Sequence, residues 1–278
     1  MAQALKSKTS GSSARPIGVF DSGLGGLTVV REIRRLLPSE SIVYFGDIAR
    51  LPYGIKSKEQ ILNYSIQNTL FLMKHKVKAV VVACNSSASA AYAFLKRSFS
   101  LPVVDVIEPA AQMAVQMTRS GRIGVIATRS TVSSGAYERA LKKRNPKALV
   151  FQAACPLFVS LVEEGWVQGK ITDQIVEAYL APVKAKRPDT LILGCTHYPL
   201  LYGAIQKNVG ARVQLIDSAA PTVRKLAAIL NQNGLTHAGS QRGELRIYVS
   251  DMPGNFVPVG ETFLGEKLDR VEVVRHKG

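Results

Sequence analysis

Two cysteines of this 278-residue chain stand in matching surroundings. Cys84 ends the apolar run of "AVVVACNSSASAAYAF" and Cys195 ends that of "TLILGCTHYPLL". Each follows a small residue (Ala83, Gly194) and precedes a polar pair (Asn85 and Ser86, Thr196 and His197). A thiol between a strand and a helix lies beside free backbone N–H groups and the positive end of a helix dipole, which lowers its pKa from about 8.5 and makes it a usable base. Two such thiols on opposite walls of a cleft suit a reaction that removes a proton from one face of a carbon and delivers one to the other, which is racemisation. Cys195 with His197 could also serve a thiol protease or transferase, but that reading leaves Cys84 and its near-copy of the motif unexplained. A lone free cysteine is more often inert packing than catalyst. Cys155, in "FQAACPLF", is followed by Pro156, lacks the polar pair and is read that way.

Other residues could support such a pair. In "FDSGLGGLTVV", Asp21 and Ser22 end an apolar run before a glycine-rich loop whose N–H groups can cradle an anion. A dinucleotide fingerprint counted from Gly23 would need glycine where Thr28 stands, and no GK[ST] phosphate loop occurs. The competing reading of Asp21 is a plain helix cap. In "ARLPYGIKS", Pro52, Tyr53 and Gly54 make either a rigid turn with exposed backbone or a simple connection. Glu163 and Glu164 of "LVEEGW" would ordinarily be a solvated helix end, and His197 could be a cap or core histidine. His75, His237 and His276 have no such neighbourhood and are expected at the surface.

These residues need a scaffold. Short apolar runs alternate with longer amphipathic ones: "PIGVF" as strand, "LTVVREIRRLLP" as helix closed by Pro38, "SIVYFGD" as strand, "KEQILNYSIQNTLFLMKHK" as helix, "VKAVVVAC" as strand, "SASAAYAFLKRSF" as helix and "LPVVDVI" as strand. The rhythm restarts after Glu108 with "PAAQMAVQMTRS", "RIGVIAT", "TVSSGAYERALKKRN", "ALVFQAAC", a helical stretch around Trp166 to Lys184, "TLILGC" and "RVQLIDS". The expected fold is α/β, with two similar domains of mostly parallel sheet flanked by helices and the site in the cleft between them, outside the carboxyl ends of the strands. The expected division is a disordered tail over 1–15, a first domain over 16–108 plus 219–278, and a second over 109–218. The last stretch begins with the helix "APTVRKLAAILNQNG" and continues through strands such as "ELRIYVS", which could return to the first half.

The composition sets outer limits. With 46% hydrophobic residues the chain can bury a large core, and its apolar stretches are far shorter than the roughly 20 residues of a membrane helix. The N-terminal "MAQALKSKTSGSSARP" has no apolar segment of signal-peptide length, so a cytoplasmic protein off the membrane is expected. Three cysteines without a CxxC unit suggest free thiols, neither a disulfide scaffold nor a zinc site. The formal charge of +16 raises a nucleic-acid reading, yet the basic residues are scattered among apolar segments without a recognition module, so solvated surface is expected.

Five segments in order, "GVFDSGLGGLTVVREI", "YFGDIARLPYGIKS", "VVACNSSASA", "VSLVEEGW" and "LILGCTHYPLL", resemble glutamate racemase, of the aspartate/glutamate racemase family. The resemblance covers nearly the whole chain after the tail. It implies a cofactor-independent, metal-free isomerase that interconverts L- and D-glutamate and supplies D-glutamate for peptidoglycan, with a homodimer as its assembly. Carried onto matching positions, it makes Cys84 and Cys195 the proton-transferring residues, Asp21 a supporting group near Cys84, and Glu163 and His197 supporting groups near Cys195. It assigns substrate contacts to Asp21, Ser22, Tyr53, Gly54, Asn85, Ser86, Thr196 and His197. The chain departs from the family at Ser86, where threonine is usual; the hydroxyl is kept and a methyl lost. Racemisation of aspartate or another amino acid is the nearest alternative.

Overall fold

The computed structural model describes residues 13–274. Its strands are β1 (Ile17–Asp21), β2 (Ile42–Gly46), β3 (Ala79–Val82), β4 (Val103–Asp105), β5 (Arg122–Ala127), β6 (Leu149–Ala154), β7 (Thr190–Gly194), β8 (Gln214–Asp217), β9 (Leu245–Val249) and β10 (Val271–Val273). They form two sheets, ordered β10-β9-β2-β1-β3-β4 and β6-β5-β7-β8, and every pairing is parallel. β1, β2, β3 and β7 are buried at every position. Helices cover both faces of such sheets, which is why these strands read as unbroken apolar runs and not as alternating ones. The architecture is the α/β one that the sequence predicts, two parallel sheets flanked by helices.

The sheets share a winding. β2-β1-β3-β4 in the first and β6-β5-β7-β8 in the second each set the first strand of their half between its second and third. Where the winding reverses direction, the connections leave on opposite sides and open a crevice at the carboxyl ends of the two central strands. In the first sheet that crevice lies between β1 and β3, where Phe20 pairs with Val82. In the second it lies between β5 and β7, where Ala127 pairs with Gly194. The topology therefore delivers Ser22 with Cys84, and Thr128 with Cys195, before any side-chain chemistry is considered. β9 pairs with β2 and β10 with β9, which brings the last part of the chain into the first sheet.

Local chemistry explains the element ends. The helix Leu27–Leu36 buries Leu27, Val30 and Ile33, carries Arg34 and Arg35 in its last turn, and stops before Pro38. Ser57 caps Lys58–Lys74 by accepting a hydrogen bond from the Gln60 N–H at 3.2 Å. Several expectations need correction. "TVSSGAYERALKKRN" is two helices, Arg129–Ser133 and Ala136–Arg144, divided at Gly135 with φ +64°. The helix expected around Trp166 begins at Lys170, after a turn in which Gly165 and Gly169 have positive φ. His75 and His237 are half-buried, His75 packed against the rings of Phe71 and Tyr248 and His237 donating its backbone N–H to Glu40 Oε1 at 2.9 Å. Residues 1–12 of the expected tail and His276 lie outside the described residues; the Ser13 carbonyl accepts a hydrogen bond from Lys78 Nζ at 2.6 Å. Among the described residues no helix is long and apolar enough to cross a membrane.

Candidate active site

Cys84 follows β3 and stands at the N-cap of the helix Asn85–Ser98. Its Sγ lies 3.4 Å from Ser22 Oγ, on the loop that leaves β1. Asp21 stands behind the pair, only 1% exposed. Its Oδ2 accepts the Gly26 N–H at 2.9 Å, and its Oδ1 is buried without a hydrogen-bond partner. Burial pushes the Asp21 carboxyl above its ordinary pKa, against the opposing pull of His197 and of the Gly26 and Ser22 N–H groups. The Cys84 thiol is pushed up to about 12, first by burial and then by the Asp21 charge, with contacts to Ser22 and Ser87 opposing. The expectation of a lowered thiol pKa therefore fails at Cys84, because desolvation and a neighbouring carboxylate outweigh the helix end.

Cys195 follows β7 and meets a different partner. His197 Nδ1 lies 3.9 Å from its Sγ, and His197 Nε2 lies 3.0 Å from Glu163 Oε1. Burial drives the imidazolium pKa down, but the contacts with Cys195 and Glu163 and their charges outweigh it and bring His197 up to about 10. Phe263, from the helix Phe256–Leu264, packs edge-on against the His197 ring with centroids 5.0 Å apart. Glu163 is placed by the short helix Leu157–Glu163 that follows Pro156.

One small cavity joins the two groups. Cys84, Ser22, Asn85 and Ser86 line it from the first half and Cys195, Thr196 and His197 from the second, while Tyr53 and Gly54 close it from the turn Tyr53–Ile55. Its free volume is about 20 Å³, enough for one water and less than an amino acid occupies. Asp21 and Glu163 do not line it; they stand behind Cys84 and His197. The Tyr53 hydroxyl is taken up by Asp47 and Asn68, so Tyr53 offers the cavity its ring and main chain. A Cβ at Gly54 would lie 2.7 Å from Thr128 Cβ, so glycine is what lets this turn close on the second half. Asn85 Oδ1 accepts the Tyr137 hydroxyl at 2.7 Å, leaving its buried Nδ2 without a partner. Ser86 Oγ lies 3.0 Å from both Thr128 Oγ1 and Ser130 Oγ, a hydroxyl cluster joining the halves.

Thr128, Val159 and Phe263 were not legible as site residues. Thr128 carried a usable signal, since it ends the strand "RIGVIAT" as Cys195 ends "TLILGC". Val159 and Phe263 carried none, because each reaches the site by packing alone. No lysine or arginine lines the cavity. Among the described residues no group of three or more His, Cys, Asp and Glu is placed to hold a metal ion.

Known proteins resemble this chain in sequence and fold. The chain is 48% identical over 261 residues to a glutamate racemase from Neisseria meningitidis serogroup A, covering 94% of this chain and 96% of that protein. It is 47% identical over 257 residues to the glutamate racemase of Geobacter metallireducens, covering 92% and 95%. The crystal structure of glutamate racemase from Francisella tularensis in complex with D-glutamate superposes with a TM-score of 0.89 at 40% identity, covering 94% and 98%. A sequence model described as Asp/Glu/Hydantoin racemase matches residues 17–226. With strand-end thiols on two parallel sheets, and likeness to racemases over almost its whole length, the chain belongs to the Asp/Glu/Hydantoin racemase family.

Proposed function

We propose that the chain interconverts L- and D-glutamate, with one cysteine taking the α-proton and the other returning a proton to the opposite face. The observation that carries this reading is the meeting of Cys84 and Cys195, from two separate sheets, in one cavity with different acid–base support. With L-glutamate, the Cys195 sulfur accepts the α-proton while the His197 imidazolium, oriented by Glu163, balances the charge passing through the site. The Cys84 thiol, which burial and Asp21 keep protonated, reprotonates the planar carbon from the other side. With D-glutamate the roles reverse. The N–H groups opening the helix Asn85–Ser98, the Asn85 amide and the hydroxyls of Ser22, Ser86 and Thr196 are the donors for the substrate carboxylates and for the charge that develops on one of them. The closed volume holds about one water and no substrate, so the cleft opens to admit substrate and closes for the transfer.

Glutamate is preferred to aspartate because the relatives named glutamate racemase match the chain at 47–48% identity. We read the chain as two domains, 16–108 with 219–278 and 109–218, since the two sheets draw their strands from these ranges. The same reading makes the protein a cytoplasmic homodimer, working without cofactor, whose D-glutamate enters peptidoglycan; family likeness supports these points. Incubating the purified protein with L-glutamate in deuterated water tests the activity. Loss of optical rotation with deuterium appearing at the α-carbon is expected. Comparable turnover of aspartate would move the assignment to a broader racemase, and absence of exchange would refute it.

A further inference from the structure

The substrate of the proposed reaction is a dicarboxylate with net negative charge, yet no lysine or arginine lines the cleft, where His197, engaged with Cys195 and Glu163, is the one cationic group. A second cavity of about 440 Å³ adjoins it and shares Gly54 with it. Lys56, Lys58 and Arg129 line this outer cavity, and no carboxylate does. None of the three forms an ion pair with a carboxylate among the described residues. Lys56 and Lys58 flank Ser57, the cap of the helix Lys58–Lys74, and Arg129 follows Thr128 after β5, so the charge comes from both halves of the molecule. Ser130 also lines the outer cavity, and its hydroxyl donates to Ser86 Oγ at 3.0 Å, while Ser86 lines the cleft. Hydroxyls of Ser86, Thr128 and Ser130 thus form the partition between the two spaces.

We propose that the outer cavity is a capture site for the acidic amino acid, an antechamber in which Lys56, Lys58 and Arg129 gather the dicarboxylate before the cleft opens. This rests on the glutamate reading of the cleft and adds a second site to it. The division of labour follows from the residue types. Lys58 and Arg129 are exposed and Lys56 is half-buried, and such long side chains raise the local concentration of an anion without fixing its geometry. The cleft supplies geometry through hydroxyls, amide groups and helix N–H groups, and it places no fixed ammonium or guanidinium beside the reacting carbon. Long-range attraction then has to come from outside, and charge of this kind is screened by salt over a Debye length of about 8 Å at physiological ionic strength.

The test compares the unmodified chain with a Lys56→Gln, Lys58→Gln, Arg129→Gln triple variant, racemising L-glutamate at low salt and at about 0.5 M NaCl, where screening is strong. The triple variant is expected to raise KM about tenfold at low salt, the lower end of electrostatic steering, with kcat unchanged and the gap closing at high salt. A control triple variant, Lys170→Gln, Lys186→Gln, Lys267→Gln, removes the same charge at exposed positions elsewhere and should behave as the unmodified chain. An unchanged KM at low salt, a KM raised equally at both salts, or an equal effect in the control would overturn the antechamber while leaving the glutamate reading intact. Failure of the unmodified chain to racemise glutamate would remove both.

Discussion

Cys84 and Cys195 are the same side chain in two electrostatic settings. Beside Cys84 stands a carboxylate, and burial with that charge keeps the thiol protonated at neutral pH. Beside Cys195 stands an imidazolium whose pKa is raised to about 10. This asymmetry has a thermodynamic consequence. His197 binds its proton more tightly folded than unfolded, so its contribution to stability is complete below about 6.5 and is lost as pH rises through about 10. Urea unfolding across that window should show stability falling with pH, and His197→Gln should flatten the slope; a slope unchanged by the substitution would contradict the paired imidazolium. The cysteine pair was legible in the sequence because two flanks match. The lifted Cys84 pKa was not, since it depends on burial and on how Asp21 folds back, which no spacing reveals.

At the scale of elements, loops at strand ends do the positioning, and they touch. The loop after β1 meets the loop after β7 so closely that a Cβ at Gly25 would lie 2.2 Å from Thr196 Oγ1 and 2.7 Å from His197 Nδ1. Gly25→Ala is therefore expected to push Thr196 and His197 out of place, at a cost of about 1–3 kcal/mol from overpacking. Its kcat/KM should fall a hundredfold or more, in line with the sensitivity of such sites to misplacements of about 1 Å, while the chain stays folded by circular dichroism. Near-normal kcat/KM would show that the loops do not need this contact. Apolar runs such as "AVVVAC" and "TLILGC" announced their strands because doubly covered parallel strands are apolar throughout. The helix Leu157–Glu163 was legible only at its end, where Glu163 and Glu164 read as a solvated helix terminus, because seven mostly apolar residues after a proline show no helical period. Phe256–Leu264 escaped because Pro258 and Gly260 argue against helix, whereas tertiary packing decides: a Cβ at Gly260 would lie 2.7 Å from Leu268 Cδ1.

Over the whole molecule, two sheets of like winding each contribute a switch-point crevice, and the chain's formal charge of +16 surrounds a cleft whose own lining holds no lysine or arginine. The duplicated β-order was half legible, through the repeated cysteine flanks; which strand stands in the middle of each sheet was not, because strand order depends on crossover direction. Cys155 shows what placement adds. It is fully buried, it is absent from the cavity lining, and Cys155→Ala should remain active. The proposed reaction gives each thiol one face of the α-carbon. The most direct measurement uses L- and D-glutamate bearing chlorine on the β-carbon, from which removal of the α-proton alone expels chloride, so that one working thiolate suffices. Cys84→Ser should eliminate chloride from the L-form and barely from the D-form, and Cys195→Ser should do the reverse, while neither racemises glutamate. Equal loss on both enantiomers in both variants, with substrate still bound, would contradict one base per face.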